Sequence, residues 1–385
     1  MNFTFNTVPD IIFRPGVSKE FGAHVKGRME RPILLTDKGL IDAGLVEPVL
    51  ASLKAESLDV FLFDDVAADP PAPKVKEAIE AARSHEADGV IGVGGGSSMD
   101  TAKLVAVLMN SGQSLEDIYG TDQVTGARAP LVLAPTTAGT GSEVTPISVV
   151  TSEADEKIGI VDNHLYPDMA LLDPELTLGL PRHVTAATGI DAMVHAIEAY
   201  TNIHRKNPVS DALAREALRQ LSTNIVAACE TPGDIKVREA MLLGAMLAGQ
   251  AFANSPVGAV HGMAYPLGGI FHVPHGLSNS LMLEPVLRFN APKAACQYAE
   301  LADVVAPNYD NGTTGSDTAR CDAFITRMVE IVEATGVERR LTQLGISHND
   351  LPRMAEDAMK AQRVLQNNPR EVTYDDALAM YTEVL

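Results

Sequence analysis

The sequence is poor in cysteine and in basic side chains, and each shortage excludes a class of protein. Its 385 residues include only three cysteines, Cys229, Cys296 and Cys321. Their number is odd and they lack the close spacing of a metal motif, so we expect reduced thiols and a cytoplasmic protein. Lys and Arg total 30 against 50 Asp and Glu, a net charge of −20. Because so acidic a chain repels phosphate backbones and anionic lipid, we expect neither nucleic acid nor membrane partners.

Signals for export and for membrane insertion are also lacking. Residues 1–15 do not show the basic and then apolar pattern of a signal peptide. Residues 241–260 are long enough to consider as a membrane span, but they contain Gln250, Asn254 and Pro256. A lipid-facing helix does not readily accommodate such a polar break. We expect a buried helix there, packed closely through its small residues.

Hydrophobic patterning in the first half alternates between strands and helices. The predicted strands are residues 32–37, 60–63, 89–93 and 131–134, and the predicted helices are 40–54, 73–85 and 98–109. This alternation is typical of right-handed βαβ units. We therefore predict an α/β domain with a parallel, Rossmann-like sheet over residues 1–180.

The second half is almost free of strand patterns. Amphipathic stretches occupy residues 188–201, 210–230, 237–254, 321–335 and 373–385. We predict an all-α C-terminal domain over residues 181–385. The polar, glycine-rich segment 308–318 is predicted to be a surface loop within it.

A glycine-rich turn follows the third predicted strand. Residues 92–100 read GVGGGSSMD. Glycines let the backbone approach a ligand, and Ser97 or Ser98 can cap the helix that follows. The N–H groups at that helix start suit a pyrophosphate. The spacing departs from G-x-G-x-x-G at Ser97, and tight strand-to-helix turns also occur without a ligand.

Two further features are each compatible with two interpretations. Asp37 ends a predicted strand, where a carboxylate can accept hydrogen bonds from an adenosine ribose and repel a 2′-phosphate. It can equally be the N-cap of the next helix. The loop 135–143, PTTAGTGSE, offers hydroxyl and N–H donors to a cofactor, or it is an ordinary polar loop.

One carboxylate and three imidazoles form a candidate metal centre. Asp191 and His195 are four residues apart on a predicted helix, so they share one face. His261 and His275 follow in two glycine-containing segments, fourteen residues apart. This set suits Zn²⁺ or Fe²⁺ with an open position for a substrate. Each histidine taken alone is also compatible with a core or surface position.

Long segments of the chain resemble the iron-containing (group III) alcohol dehydrogenase family. Residues 172–198, which include Asp191 and His195, are similar to its first signature. Residues 258–276, which include His261 and His275, are similar to its second. Residues 94–103 and 135–143 resemble its cofactor loops, and Asn368-Pro-Arg370 also fits. The resemblance spans nearly the whole chain.

The resemblance implies an N-terminal NAD-binding domain and a helical metal-binding domain. Fe²⁺ (or Zn²⁺) would be held by Asp191, His195, His261 and His275. The implied cofactor contacts are Asp37, Gly94, Gly95, Gly96, Ser97, Ser98, Asp100, Thr136, Thr137, Thr140, Ser142 and Lys157. The implied substrate-bordering residues are Ile147, Val149, Phe252 and Val364, with Arg363 a candidate contact for a charged substrate tail.

Two positions depart from the family pattern. Asp69 stands where the family often has Asn, which adds a negative charge near the cofactor. Tyr265 stands where many members carry another His. Because Tyr265 follows His261 by four residues, we place it on the same side of a helix. Its hydroxyl can hydrogen-bond a substrate or a water on the proton path, or its ring can shape the pocket, which is the interpretation we favour.

We therefore predict a metal-dependent NAD(H) oxidoreductase that interconverts small alcohols with aldehydes or ketones by hydride transfer. Primary alcohols, diols and hydroxy-substituted compounds are all candidate substrates. The family implies a homodimer or a larger homo-oligomer. The alternatives are a dehydroquinate synthase-like lyase, a metal-free reductase and a non-catalytic NAD-binding protein. The lyase should carry several Lys and Arg residues near the metal donors, where this sequence has few, and the complete donor set argues against the other two.

Overall fold

The computed structural model describes residues 2–153, 156–308 and 315–385. The chain forms two compact units, Thr7–Gly179 and a second made of Leu180–Leu385 together with the residues up to Asn6. Of the predicted loop at 308–318, residues 309–314 lie outside the described residues. Within the described ranges, no helix is long and apolar enough to cross a membrane.

The first unit is built on a parallel sheet of six strands in the order β1-β9-β6-β4-β2-β3. In chain order its elements are β1 (Asp10–Phe13), α1 (Phe21–Val25), β2 (Pro32–Leu35), α2 (Lys38–Asp42), α3 (Glu47–Ala55), β3 (Phe61–Phe63), α4 (Ala72–Ser84), β4 (Gly89–Gly94), α5 (Gly96–Leu108), β5 (Gly120–Thr121), β6 (Leu131–Pro135), β7 (Ile147–Thr151), β8 (Lys157–Val161) and β9 (Met169–Leu172). The predicted α/β class with a parallel, Rossmann-like sheet is confirmed.

Helices cover both faces of this sheet. Ile33 and Leu35 of β2 pack into one apolar cluster with α4 and α5. Leu34, between them, packs into a second cluster with α1 and α3. Alternate side chains of one strand thus pack on opposite faces of the sheet. Because both faces are covered by helices, such a strand is a continuous apolar run in the sequence. A separate small sheet joins β7 antiparallel to β8, with β5 beside β8.

Two sequence expectations for this unit need correction. The helix predicted at 40–54 is two helices, α2 and α3. Gly44 lies between them in the left-handed region, at φ +71°, which ends the first helix. The sequence patterns also fail to predict five strands, because these are short and lack the flanking helical pattern: β1, β5, β7, β8 and β9.

The second unit has helices and no β-strand in its described residues. Its helices are α6 (Arg182–Thr201), α7 (Pro208–Glu230), α8 (Ile235–Asn254), α9 (Ala259–Phe271), α10 (His275–Val305), α11 (Asp317–Thr335), α12 (Leu351–Ala358), α13 (Gln362–Leu365) and α14 (Tyr374–Glu383). Helix α6 packs against α7, α8 and α10, and every residue from Gly189 to Thr201 is buried. The predicted all-α class of this half is confirmed.

The start of the chain belongs to the helical unit. The Asn6 backbone N–H donates to Asn254 Oδ1 at 2.7 Å, and Asn254 Nδ2 donates to the Asn6 carbonyl at 2.9 Å. Asn254 is the last residue of α8. A reciprocal pair of hydrogen bonds therefore ties the first residues to a helix far along the sequence.

Candidate functional site

Three helices of the second unit bring the predicted metal donors together. Asp191 and His195 lie on α6, His261 lies on α9, and His275 is the first residue of α10. One donor atom from each lies within 4.8 Å of the others. Asp191 Oδ1 is 3.9 Å from His195 Nε2, 3.8 Å from His261 Nε2 and 3.7 Å from His275 Nε2. Donors this close together can surround a single ion after small side-chain adjustments.

Gly276 allows the start of α10 to reach α6. A Cβ atom built on Gly276 would lie 2.5 Å from the Ala187 carbonyl oxygen. Only glycine permits this approach, and the approach sets His275 beside the α6 donors.

Burial and charge suit the four donors to a cation. Asp191, His195 and His261 are buried, whereas the side chain of His275 is 40% exposed and forms the accessible side of the cluster. Burial alone would raise the pKa of Asp191, but the neighbouring imidazoles lower that pKa below its ordinary value. The carboxylate is therefore ionised, as a metal ligand must be.

Glu198 orients His261 from behind. Its Oε2 accepts from His261 Nδ1 at 2.6 Å, and its Oε1 accepts from the Val260 backbone N–H at 2.6 Å. Because Glu198 accepts a hydrogen bond from the protonated Nδ1 of His261, the lone pair of the neutral imidazole lies on Nε2, which faces Asp191. The charge of Glu198 also raises the pKa of His261, against the opposing effect of burial. This carboxylate–histidine arrangement is common around protein-bound metals.

Asn279 contacts the donors from α10. Its Nδ2 donates to Asp191 Oδ1 at 2.6 Å and lies 3.2 Å from Nε2 of both His261 and His275. Its Oδ1 is buried without a hydrogen-bond partner in the part of the chain that the structure describes. The donor types and the ionised carboxylate together fit a bound divalent metal.

Neither Glu198 nor Asn279 was predicted as a site residue. The available signal was helical spacing, since Glu198 follows His195 by three residues and Asn279 follows His275 by four. A Glu or Asn at such a position is more often on a solvated face, so spacing alone could not distinguish them.

Three predicted pocket residues lie close to the donors. The Phe252 ring stacks on His195 with ring centroids 4.2 Å apart. Val364 packs on α9, since a Cβ on Gly262 would lie 3.4 Å from its Cγ2. Tyr265 lies one turn beyond His261, and burial raises the pKa of its phenol against the opposing effect of the nearby Arg363.

The predicted cofactor residues gather at one edge of the parallel sheet. Asp37 follows β2, Gly94 ends β4 and Thr136 follows β6. The chain moves from β2 to β3 on one side, then returns past β2 to β4 and continues to β6 on the other. Between β2 and β4 the winding direction therefore changes, which is where doubly wound sheets bind ligands at the carboxyl ends of their strands.

The turn between β4 and α5 can receive an anion. Gly94 has a φ of +156°, and a Cβ on it would lie 2.5 Å from Ser98 Oγ. The N-cap of α5 is Gly95, with no side-chain cap. The expectation that Ser97 or Ser98 caps this helix is therefore wrong, because the helix begins before them. Because Gly95 offers no capping side chain, the N–H groups of the first turn of α5 suit a phosphate.

The loop after β6 supplies a second feature of a ligand site. Thr137 Oγ1 is buried and has no hydrogen-bond partner among the described residues. A Cβ on Gly95 would lie 3.6 Å from Thr137 Cγ2, and one on Gly96 would lie 3.0 Å from Thr140 Cγ2. Thr137 and Thr140 thus flank the glycine turn, and a buried hydroxyl beside a helix start fits a bound polar ligand.

Asp100 and Ser142 engage the protein itself. The Asp100 carboxylate accepts from Ser142 Oγ at 2.6 Å and from the Val149 N–H at 2.8 Å. Fully buried Lys103 donates to Ser142 Oγ at 2.8 Å and to the Ile147 carbonyl at 2.7 Å. Burial lowers the pKa of Lys103 to about 8. These bonds fix α5 against β7 and so hold the turn in place.

The last two predicted cofactor residues have polar partners as well. Asp37 Oδ1 accepts from the Leu40 N–H at 3.1 Å, so Asp37 is the N-cap of α2. That role is compatible with a ribose contact through the same carboxylate. Lys157 Nζ lies 2.5 Å from Asp69 Oδ1.

A parallel sheet whose winding direction changes and a helical unit with an Asp–His₃ cluster are the features expected of a metal-dependent dinucleotide oxidoreductase. Comparison with known proteins agrees. The model of the family described as iron-containing alcohol dehydrogenase matches residues 9–174, and that of its C-terminal domain matches residues 185–385. This chain belongs to the iron-containing alcohol dehydrogenase family, as predicted.

Individual relatives match over nearly their whole length. Long-chain-alcohol dehydrogenase 1 of Geobacillus thermodenitrificans is 37% identical over 91% of this chain and 88% of its own. The NAD-dependent methanol dehydrogenase of Bacillus methanolicus is 32% identical over 96% of each. A crystal structure of 1,3-propanediol oxidoreductase matches with a TM-score of 0.96, at 32% identity over 100% of both chains. The predicted enzyme class, an alcohol dehydrogenase, is confirmed.

Proposed function

We propose that this enzyme interconverts small alcohols and their aldehydes or ketones with NAD(H), using Fe²⁺ or Zn²⁺ bound by Asp191, His195, His261 and His275. The convergence of these four donors within 4.8 Å is the observation that carries the proposal. The named relatives act on methanol, long-chain alcohols and 1,3-propanediol, so the family leaves the substrate open. No relative reported above supports a dehydroquinate synthase-like lyase.

The helical unit supplies the polar chemistry. When bound, the metal acts as a Lewis acid that polarises the oxygen of an alcohol or carbonyl. The protein holds the Asp191 carboxylate ionised and the Nε2 lone pair of His261 available through Glu198. Phe252, stacked on His195, and Val364, packed on α9, give apolar surface beside the donors. We propose these two residues as substrate neighbours, with Tyr265 shaping the pocket.

The α/β unit supplies the dinucleotide site. We assign the diphosphate to the start of α5 and the adenosine ribose to Asp37, which also disfavours a 2′-phosphate. The proposed direct contacts are Asp37, Gly94, Gly95, Gly96, Ser97, Ser98, Thr136, Thr137, Thr140 and Lys157. Asp100 and Ser142 act through the bonds that hold the turn. The assignment of Ile147 and Val149 to the substrate rests on the family resemblance.

A substrate panel with metal analysis tests this function. Short alcohols, diols, hydroxy acids and aldehydes would be assayed with NAD(H) after loading with Fe²⁺ or Zn²⁺. His261→Ala should lose most of its metal and turnover but still bind NAD, because the proposed NAD residues lie on the other unit. His183→Ala, an exposed histidine on the same helix as Asp191, is the matched control. Full metal content and turnover in His261→Ala would exclude the proposed metal site.

We further propose a cytoplasmic homodimer or larger homo-oligomer without nucleic acid or membrane partners. The free thiols of Cys229, Cys296 and Cys321 and the net charge of −20 support the compartment and the partners, and the family resemblance supports the oligomer. Light scattering after size-exclusion chromatography measures the mass directly. A monomer of 40.9 kDa would contradict the oligomer.

A further inference from the structure

Asp69 lies in the loop between β3 and α4, against the proposed dinucleotide turn. Its backbone N–H donates to Ser97 Oγ at 3.2 Å, and its carbonyl accepts from Thr151 Oγ1 at 2.9 Å. Its φ of +48° is in the left-handed region, which Asp and Asn tolerate better than most residues. Bonds on two sides therefore hold this carboxylate at the rim of the turn.

The Asp69 carboxylate engages Lys157, whose Nζ lies 2.5 Å from Oδ1. Lys157 is the first residue of β8 and lies opposite Thr151 of β7. Its side chain is only 23% exposed. The Asp69 side chain is 52% exposed, so the pair has the modest strength of an ion pair at the surface and is sensitive to salt.

The same loop neutralises two further lysines at this edge of the sheet. Asp65 Oδ1 lies 2.8 Å from Lys38 Nζ, and Asp65 Oδ2 lies 2.7 Å from Lys74 Nζ. Lys38 begins α2 directly after Asp37. Each of the three lysines thus pairs with a carboxylate of this loop, and Lys74 pairs with Glu77 as well. Only Asp69 also bonds to the α5 turn, through Ser97, so a diphosphate bound there competes with Asp69 for Lys157.

We propose that Asp69 determines the affinity for the dinucleotide by holding Lys157 in an ion pair. The pair weakens the attraction between Lys157 and the bound diphosphate, which lowers the affinity for the cofactor and keeps it exchangeable. This inference rests on the proposed NAD site at the start of α5. It assigns a role to the negative charge by which the sequence departs from its family.

Calorimetric titration of NAD⁺ and NADH into the metal-loaded protein tests the proposal. Asp69→Asn retains a residue suited to the left-handed backbone and the bonds to Ser97 and Thr151, but it releases Lys157. At low salt we expect NAD to bind about fivefold more tightly, the size of one weak ion pair. The gain should shrink at about 0.5 M NaCl because salt screens the released charge. Thermal unfolding verifies that the variant is folded.

Two further variants test whether the gain in NAD affinity depends on Lys157 and on where the carboxylate is removed. Glu56→Gln removes a carboxylate paired with Lys26 at 2.6 Å, before β3 at the opposite edge of the sheet, and should leave the NAD affinity unchanged. In a Lys157→Gln background, Asp69→Asn should give little further gain. Unchanged or weaker NAD binding in Asp69→Asn would overturn the proposal, as would an equal gain without Lys157. If the native protein binds no NAD, the proposed function itself fails.

Discussion

The Glu198 carboxylate lies behind a metal donor, yet it sets which nitrogen of His261 faces the other donors. Its two oxygens accept at 2.6 Å from His261 Nδ1 and from the Val260 N–H. Both side chains are buried, so no water can replace this acceptor cheaply. The imidazole is therefore oriented before any ion arrives.

Replacing this carboxylate should weaken the metal site without removing a donor. In Glu198→Gln the neutral amide holds the His261 proton less strongly, so metal affinity should fall about 10- to 100-fold. Competition against a chelator of known affinity measures this change. Glu216→Gln, at an exposed pair with Arg219, should retain native affinity. Native affinity in Glu198→Gln would reduce Glu198 to a packing role.

Tyr265 is expected to matter through its shape. Because burial raises the pKa of its phenol, the hydroxyl stays protonated at neutral pH and is a poor acid. Tyr265→Phe should therefore keep kcat/KM within about tenfold, or roughly 1.4 kcal/mol of barrier. The measurement is kcat/KM against pH, with metal content and NAD binding checked in parallel. A loss of about a thousandfold would instead make the hydroxyl a proton-transfer group.

Hydrophobic patterning predicts helices such as α7 and α8, but it does not predict α9 and α10, which contain proline. Helix α9 contains Pro266, and α10 contains Pro285 and Pro292. Proline inside a helix normally argues against one. Tertiary packing overrides that preference here, since both helices contribute metal donors and bury many of their residues. No local pattern could have revealed this.

The start of α2 combines a helix cap with a predicted specificity role, and a single substitution separates them. Asn can cap as Asp37 does, through its side-chain oxygen on the Leu40 N–H, but carries no charge. Asp37→Asn should therefore keep its thermal stability and use NADP better relative to NAD. The ratio of kcat/KM for the two cofactors is the measurement. An unchanged ratio would leave Asp37 as a helix cap alone.

The carboxyl group of Glu143, in the loop between β6 and β7, is expected to make the free energy of unfolding depend on pH. Burial raises the pKa of Glu143 to about 7 from 4.5, against the opposing charge of Lys103. The folded state therefore holds a proton that the unfolded chain has lost between about pH 4.5 and 7, so stability falls as pH rises through that window. Glu143→Gln should flatten this fall in Tm between pH 5 and 7. An identical slope in the variant would show that other groups cause it.

For the whole molecule, the metal should join three helices that are distant in sequence. Because a ligand that binds only the folded state stabilises it by about 2.7 kcal/mol at 100 times its Kd, chelation should lower Tm by several degrees. Differential scanning calorimetry with and without chelator measures the shift. His261→Ala should respond little to the chelator. A native Tm indifferent to chelation would mean that the donors hold no ion.

The functional groups of this molecule were easier to predict than the residues that support them. Four residues have side chains whose metal-binding chemistry is evident from the sequence: Asp191, His195, His261 and His275. Helical spacing or family resemblance then predicts that they lie together. The spacing around Lys103 does not mark it as buried, although its side chain is fully buried on α5. Burial depends on the assembled tertiary structure, so such supporting residues become visible only there.

The hydrogen bonds between Asn6 and Asn254 can form only after both residues have been synthesised. The two residues are 248 positions apart, so at typical translation speeds a delay of about 12 to 50 s separates their synthesis. During that time the whole α/β unit leaves the ribosome, while Asn6 has no partner to meet. Asn6 is thus among the last residues to reach its folded contacts, and a fragment beginning at Leu180 would lack the backbone groups that bond to the Asn254 side chain.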